Sequence, residues 1–175
     1  MMLACEGTAD ARRTAKGQFF AGVDGVFSFT SFGTKVYMGQ YLYNSRWEAW
    51  VSGVNRVADL VTVSADNSTV DYAHLLAGGD YMYLLLSTRD RVLNFYGGGG
   101  IFLGAEFADP FGKKPNGGVL PFSTSFVYGV RPAVELQVYP AERLSFVASA
   151  GLPVVIGSKV RVLSYEVALG LRYDF

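Results

Sequence analysis

The chain has 175 residues, half of them apolar and 15% aromatic, with 21 glycines, 17% charged residues and a formal net charge of zero. That length suits one domain or one small closed barrel, and the charge content lies below the ~25% of an average soluble domain. There is no basic surplus for nucleic acid, and the longest apolar runs, such as residues 81–86, fall far short of the roughly 18–20 residues of a membrane helix.

Residues 1–16 read as a flexible leader. Residues 1–5 are short and polar residues 6–16 follow, so no complete signal peptide is present and a processed chain is expected. Met2 to Cys5 loosely resembles a lipoprotein processing box, and Arg12-Arg13 a twin-arginine signal, but neither has its apolar stretch. A lone Cys5 excludes an internal disulfide, and with His74 as the single histidine no four-ligand zinc site is expected. No cofactor is implied.

Residues 17–175 divide into eight segments of alternating polarity separated by turn residues. The first, 18–30, puts Phe19, Ala21, Val23, Phe27 and Phe29 on one side. The second, 34–43, sets Val36, Met38 and Leu42 against Tyr37, Tyr41 and Tyr43, with the least distinct faces. The third, 46–63, sets Trp47, Ala49, Val51 and Val57 against Glu48, Ser52 and Arg56. The fourth, 69–86, sets Leu75, Ala77, Tyr81, Tyr83 and Leu85 against His74, Gly78 and Asp80. The fifth, 91–107, sets Leu93, Phe95, Ile101, Leu103 and Phe107 against Asn94, Tyr96 and Glu106. The sixth, 122–139, sets Phe126, Tyr128, Val130, Val134, Leu136 and Val138 against Arg131, Glu135 and Gln137. The seventh, 143–156, sets Leu144, Phe146, Ala148, Ala150, Leu152, Val154 and Ile156 against Ser145, Ser149 and Gly151.

The eighth is the clearest. Leu163, Tyr165, Val167, Leu169, Leu171, Tyr173 and Phe175 carry no charge, while Ser164, Glu166, Ala168, Gly170, Arg172 and Asp174 include no bulky apolar residue. Period two over that length means a strand with one oily face.

Asn44-Ser45, residues 87–90 and residues 140–142 read as tight turns, residues 31–33 and 157–159 as short connections, and residues 108–120 as a long loop. Short turns alternating with longer loops fit a barrel with both termini on the periplasmic side. Lipid leaves an open sheet edge unsatisfied, so closure is required. The expected fold is therefore an all-β, eight-stranded antiparallel up-and-down transmembrane barrel, its interior filled by side chains. Glu48, Arg56, Asp80, Glu106, Arg131, Glu135, Glu166 and Arg172 are predicted to pair inside, with Gly78, Gly98, Gly100 and Gly151 leaving room.

Other motifs are weaker. Gly97 to Gly100 lacks the Lys-Ser/Thr and the helix of a phosphate loop, and reads instead as strand curvature. His74 with a serine would suit a lipid-modifying enzyme, but no ordering motif accompanies it, and a hydrogen-bonded lumen histidine is favoured. Glu106 and Glu135 could form a catalytic dyad, yet lumen pairing with Arg131 or Arg172 explains them more simply. Tyr43, Trp47, Tyr72, Tyr81, Phe122, Tyr139, Tyr173 and Phe175 fall near strand ends, where membrane interfaces favour aromatics. Asn67-Ser68-Thr69 matches a glycosylation pattern by chance.

Three stretches of the second half stand out together: residues 81–104 (YMYLLLSTRDRVLNFYGGGGIFLG), 126–144 (FVYGVRPAVELQVYPAERL) and 168–175 (ALGLRYDF). On these stretches the second half resembles the TraO family of conjugal transfer proteins from Bacteroidetes conjugative transposons. The resemblance implies an outer-membrane component of a conjugation apparatus, acting with other transfer proteins, and it supplies no catalytic residues. Leu169, Leu171, Tyr173 and Phe175 also resemble the terminal signal read by the barrel-assembly machinery. The reading is a non-enzymatic outer-membrane barrel in contact with lipid. Its rivals are a soluble lipocalin-like barrel binding an apolar ligand and a lipid-modifying outer-membrane enzyme.

Overall fold

The computed structural model describes residues 16–28, 31–60, 68–108, 123–158 and 164–175. In chain order the strands are β1 (Phe19–Ser28), β2 (Ser31–Tyr41), β3 (Ser45–Leu60), β4 (Ser68–Ser87), β5 (Leu93–Ala108), β6 (Ser123–Val138), β7 (Leu144–Gly151), β8 (Val154–Ile156) and β9 (Glu166–Asp174). Each pairs antiparallel with its neighbours, and β1 pairs β9 from Phe20↔Asp174 to Phe27↔Val167. β7 and β8 lie end to end on one edge of β6, opposite Ala133–Val138 and Tyr128–Val130 respectively. They are two halves of one wall position. The result is a closed, eight-stranded, antiparallel up-and-down barrel.

The alternation that builds each strand also sorts its side chains. Outward lie Val36, Met38, Leu75, Ile101, Leu103, Phe126, Leu169 and Leu171, with Ile101 70% and Phe126 65% exposed. Inward lie Arg46, Glu106, Arg172 and Asp174, each 1% exposed or less. A water-soluble barrel has the reverse distribution, because its apolar area is what must leave water. The lipocalin-like alternative, with the apolar rows lining a pocket, is therefore not the arrangement found.

Inward glycines make the narrow interior possible. A Cβ on Gly39 would lie 2.5 Å from the Phe20 ring, one on Gly78 2.5 Å from Trp50, and one on Gly129 2.6 Å from Phe102. Each large ring thus occupies the space its neighbour leaves empty. Of the glycines expected to make room for ions, Gly100 abuts Asp80 and Gly151 abuts Arg131. Gly78 instead receives Trp50, and Gly98 packs on the β4 backbone at Tyr81. Phe20, Tyr37, Trp50, Leu76, Phe102 and Val127 form the main apolar cluster between the ionic layers.

Several boundaries differ from the sequence reading. Residues 31–33 are not a connection but the start of β2, because the strands pair right up to Ser28↔Ser31. Ser45 opens β3 opposite Tyr83 rather than forming a turn. The seventh segment is broken at Leu152-Pro153, where a proline cannot donate to the ladder. Tyr139 is not at an interface; it is 2% exposed and points into the lumen. Within the long loop only Ala108 belongs to the described residues, and it ends β5. Tyr72 lies in β4, its side chain outside the described ones, while Phe122 lies outside the described residues.

Candidate functional site: a charged lumen

The centre of the lumen is a four-residue ion cluster. Arg46, the second residue of β3, donates through both terminal nitrogens to Glu135 on β6, each at 2.6 Å. Arg172 on β9 approaches the same carboxylate at 3.0 Å. Glu48 lies 3.3 Å from Arg46 and 3.5 Å from Arg172. Lys35 on β2 extends the cluster, 3.4 Å from Glu48 and 3.2 Å from Asp24 on β1. Paired bidentate contacts of this kind are what a guanidinium needs when it leaves water. Arg172 and Arg46 also sit over the Phe20 ring, at 4.6 and 5.7 Å.

A second cluster lies nearer the β7–β8 break. Arg131 donates to Asp80 on β4 at 2.6 Å and to Glu166 at the start of β9 at 2.5 Å. Further along, His74 Nε2 is 2.9 Å from Glu106, and Ser158 donates to the same carboxylate at 2.6 Å. At the short-turn end Tyr139 donates to Asp174 at 2.6 Å, while Gln137 donates to Tyr41, Tyr139 and Ser145 within 3.0 Å. Between these layers, among the described residues, lies a small enclosed cavity of about 10 Å³, lined by Lys35, Ser52, His74, Arg131 and Glu166 among apolar side chains. That is space for about one water molecule.

The structure therefore brings together Glu48, Asp80, Glu106, Arg131, Glu135, Glu166 and Arg172 in the lumen. Arg56 lies in β3, opposite Tyr72, but its side chain is outside the described ones. Glu106 and Glu135 do not form a dyad, for each has its own partners. Asp24, Lys35 and Arg46 were not singled out in the sequence. Alternation could have found the first two, since Asp24 opposes Val23 in parity and Lys35 shares parity with Tyr37 and Tyr41. Arg46, the first residue of the third segment, shares parity with Glu48 and Ser52 and is legible in the same way. Leu169, Leu171, Tyr173 and Phe175 all face outward, between 43% and 68% exposed.

The family model described as conjugative transposon protein TraO matches residues 15–175. The chain belongs to the TraO family. No curated protein matches it. Among solved structures, this TraO-family chain resembles a major outer membrane protein from Thermus thermophilus, with 13% identity, a TM-score of 0.66, and coverage of 91% of this chain and 99% of that one. It also resembles Neisserial surface protein A, at 16% identity, a TM-score of 0.53 and coverage of 90% and 95%. The N-terminal β-barrel domain of Pseudomonas aeruginosa OprF gives 14% identity, a TM-score of 0.52 and coverage of 91% and 98%. At these identities the likeness is one of fold.

Proposed function

We propose that this TraO-family chain is a small outer-membrane barrel with a plugged lumen, serving as a structural or interaction component of a conjugative transfer apparatus. The observation that carries this reading is the inverted polarity of the wall. An apolar belt surrounds a core of buried ion pairs, and only an apolar solvent outside makes that distribution favourable. Family membership supports the conjugative role. The lipid of the outer membrane, the barrel-assembly machinery reading the row that ends at Phe175, and other transfer proteins are the partners this role needs; nucleic acid is not among them.

The role is structural rather than catalytic. Ser158 donates to Glu106, so the carboxylate stands between hydroxyl and imidazole. A serine nucleophile needs the opposite order, with the imidazole next to the hydroxyl and the carboxylate behind it. Among the described residues, ion pairs and apolar rings fill the lumen around an enclosed cavity of about 10 Å³, so the barrel should conduct no large solute.

Outer-membrane fractionation followed by detergent electrophoresis tests the location: a folded barrel migrates differently before and after boiling. A protein recovered from the soluble fraction would sink the proposal. Deleting the gene should lower transfer frequency of the element, restored by complementation; unchanged transfer would remove the conjugative role. Planar-bilayer recordings should show no wide, stable pores.

A further inference from the structure

The seam between β1 and β9 differs from the other ladders. Every other pair of wall neighbours is joined through a nearby connection of the chain, whereas β1 and β9 are its first and last strands. No short loop keeps these two close once their ladder opens, so the seam lacks the tether that lowers the entropy of closing elsewhere.

The inward row of β9 supplies ties of another kind. It runs Glu166, Ala168, Gly170, Arg172 and Asp174. Its three charged members all reach past the ladder neighbours β1 and β7. Glu166 meets Arg131 on β6 at 2.5 Å. Asp174 accepts from Tyr139, just after β6, at 2.6 Å and from Tyr41 on β2 at 3.4 Å. Arg172 reaches furthest, lying 3.0 Å from Glu135 on β6 and 3.5 Å from Glu48 on β3. It also sits over the rings of Phe20 on β1 and Tyr37 on β2, at 4.6 and 5.1 Å. By contrast, the ion pair of Asp24 on β1 stays within its own hairpin, with Lys35 on β2.

A glycine makes that reach possible. Gly22 stands opposite Arg172 in the seam, and a Cβ there would run into the Tyr37 ring. The phenol therefore lies over Gly22 and flanks the guanidinium.

Arg172 is a second cation at each carboxylate it meets. Arg46 already grips Glu135 through two hydrogen bonds of 2.6 Å, and Lys35 and Arg46 lie within 3.4 Å of Glu48. Both acids keep a counter-ion without Arg172, so neutralising them is not its distinctive task. That task is to join the last strand to the first and to the opposite wall through one side chain. When β1 leaves the seam, the guanidinium loses the Phe20 face. When β9 leaves, it loses both carboxylates and both rings.

We propose that Arg172 is the latch of the closed ring, a side chain that holds the first and last strands together from inside and slows lateral opening of the seam. A planar guanidinium suits this place, because its faces stack on rings while its edge donates to carboxylates. Contacts completed only when the ring shuts lower the opening rate more than they raise the closing rate.

The test follows the full chain folded in detergent micelles, where unboiled electrophoretic migration reports the closed ring. After transfer into urea, Arg172→Met should lose that migration about tenfold faster than the wild type. Arg172→Lys, which keeps the charge without the fork, should fall between them. A cross-link then separates a latch from general stability. In a Cys5→Ser background, Val23→Cys with Leu171→Cys bridges paired outward positions of the seam, while Val36→Cys with Val51→Cys bridges β2 to β3. The seam bridge should erase the difference between wild type and Arg172→Met; the β2–β3 bridge should leave it in place. Should Arg172→Met not fold, the same comparison on Arg172→Lys decides. Rescue by both bridges, rescue by neither, or an unchanged opening rate overturns the latch.

Discussion

Arg46 and Glu135 meet across the lumen from strands three places apart in the ring, joined by two parallel hydrogen bonds of 2.6 Å. Neither residue is more than 3% exposed. A contact between such distant parts of the wall fixes the barrel's cross-section, because neither strand can shift register without parting the pair. Buried pairs contribute little net stability when intact, yet losing one member strands a charge.

Glu135→Gln should therefore destabilise the barrel by about 3–5 kcal/mol, since it leaves both Arg46 and Arg172 short of a counter-charge. Urea unfolding in vesicles, followed by heat-modifiable migration, reads the loss. A change below about 1 kcal/mol would mean water enters the lumen freely and screens the pair.

Gly78→Ala should cost about 1–3 kcal/mol, as overpacking does. The new methyl would meet Trp50 at 2.5 Å and the Ile101 carbonyl at 2.6 Å. Gly53→Ala is the matched control: nothing lies within 4 Å of its Cβ position. It should be neutral to within about 0.5 kcal/mol, or slightly stabilising. Equal effects at the two sites would contradict the tight interior.

Charge placed on the belt should be costly in proportion to depth. Leu169→Arg, midway along β9, should lose about 2–4 kcal/mol in a bilayer, against about 0–1 for Leu86→Arg at the short-turn end. Both leucines are exposed, at 56% and 68%, so water outside would make the two substitutions alike. Paired folding titrations in lipid vesicles separate these outcomes.

Tyr139→Phe removes a hydroxyl that donates to Asp174 at 2.6 Å and lies 3.1 Å from Tyr41. The buried carboxylate then loses its nearest donor, at a cost of about 1–3 kcal/mol. Hydrogen exchange of the Asp174 and Tyr139 amides, which bond Arg143 and Val92, should quicken more than exchange near His74. Uniform quickening would show that the short-turn network does not act locally.

The final strand was legible because its two rows share no residue type: every bulky apolar side chain from Val167 to Phe175 points one way and Arg172 and Asp174 the other. The second segment, residues 34–43, was not, because tyrosine occupies both kinds of site. Tyr37 and Tyr41 are inside, while Tyr43 is 77% exposed. A phenol with an apolar body and a polar tip satisfies lipid rim and lumen alike, so Lys35 went unremarked beside them. Tyr139 misled for the same reason. The β7–β8 break was hidden because alternation continues through it, Leu152 and Ile156 outward and Val155 inward; only Pro153 marked it. Pairing partners across the lumen, such as Arg46 with Glu135, depend on register around the whole ring, which no single segment contains.

The seam between β1 and β9 carries a consequence for biogenesis. Phe20 finds Asp174 and Phe27 finds Val167, so the earliest strand waits for the latest. The ring stays unshut until β9 reaches β1, and the half-made wall must be kept from aggregating by something other than itself. Trimming a handful of residues from that end would uncover two strand margins at once, one on β1 and one on β7.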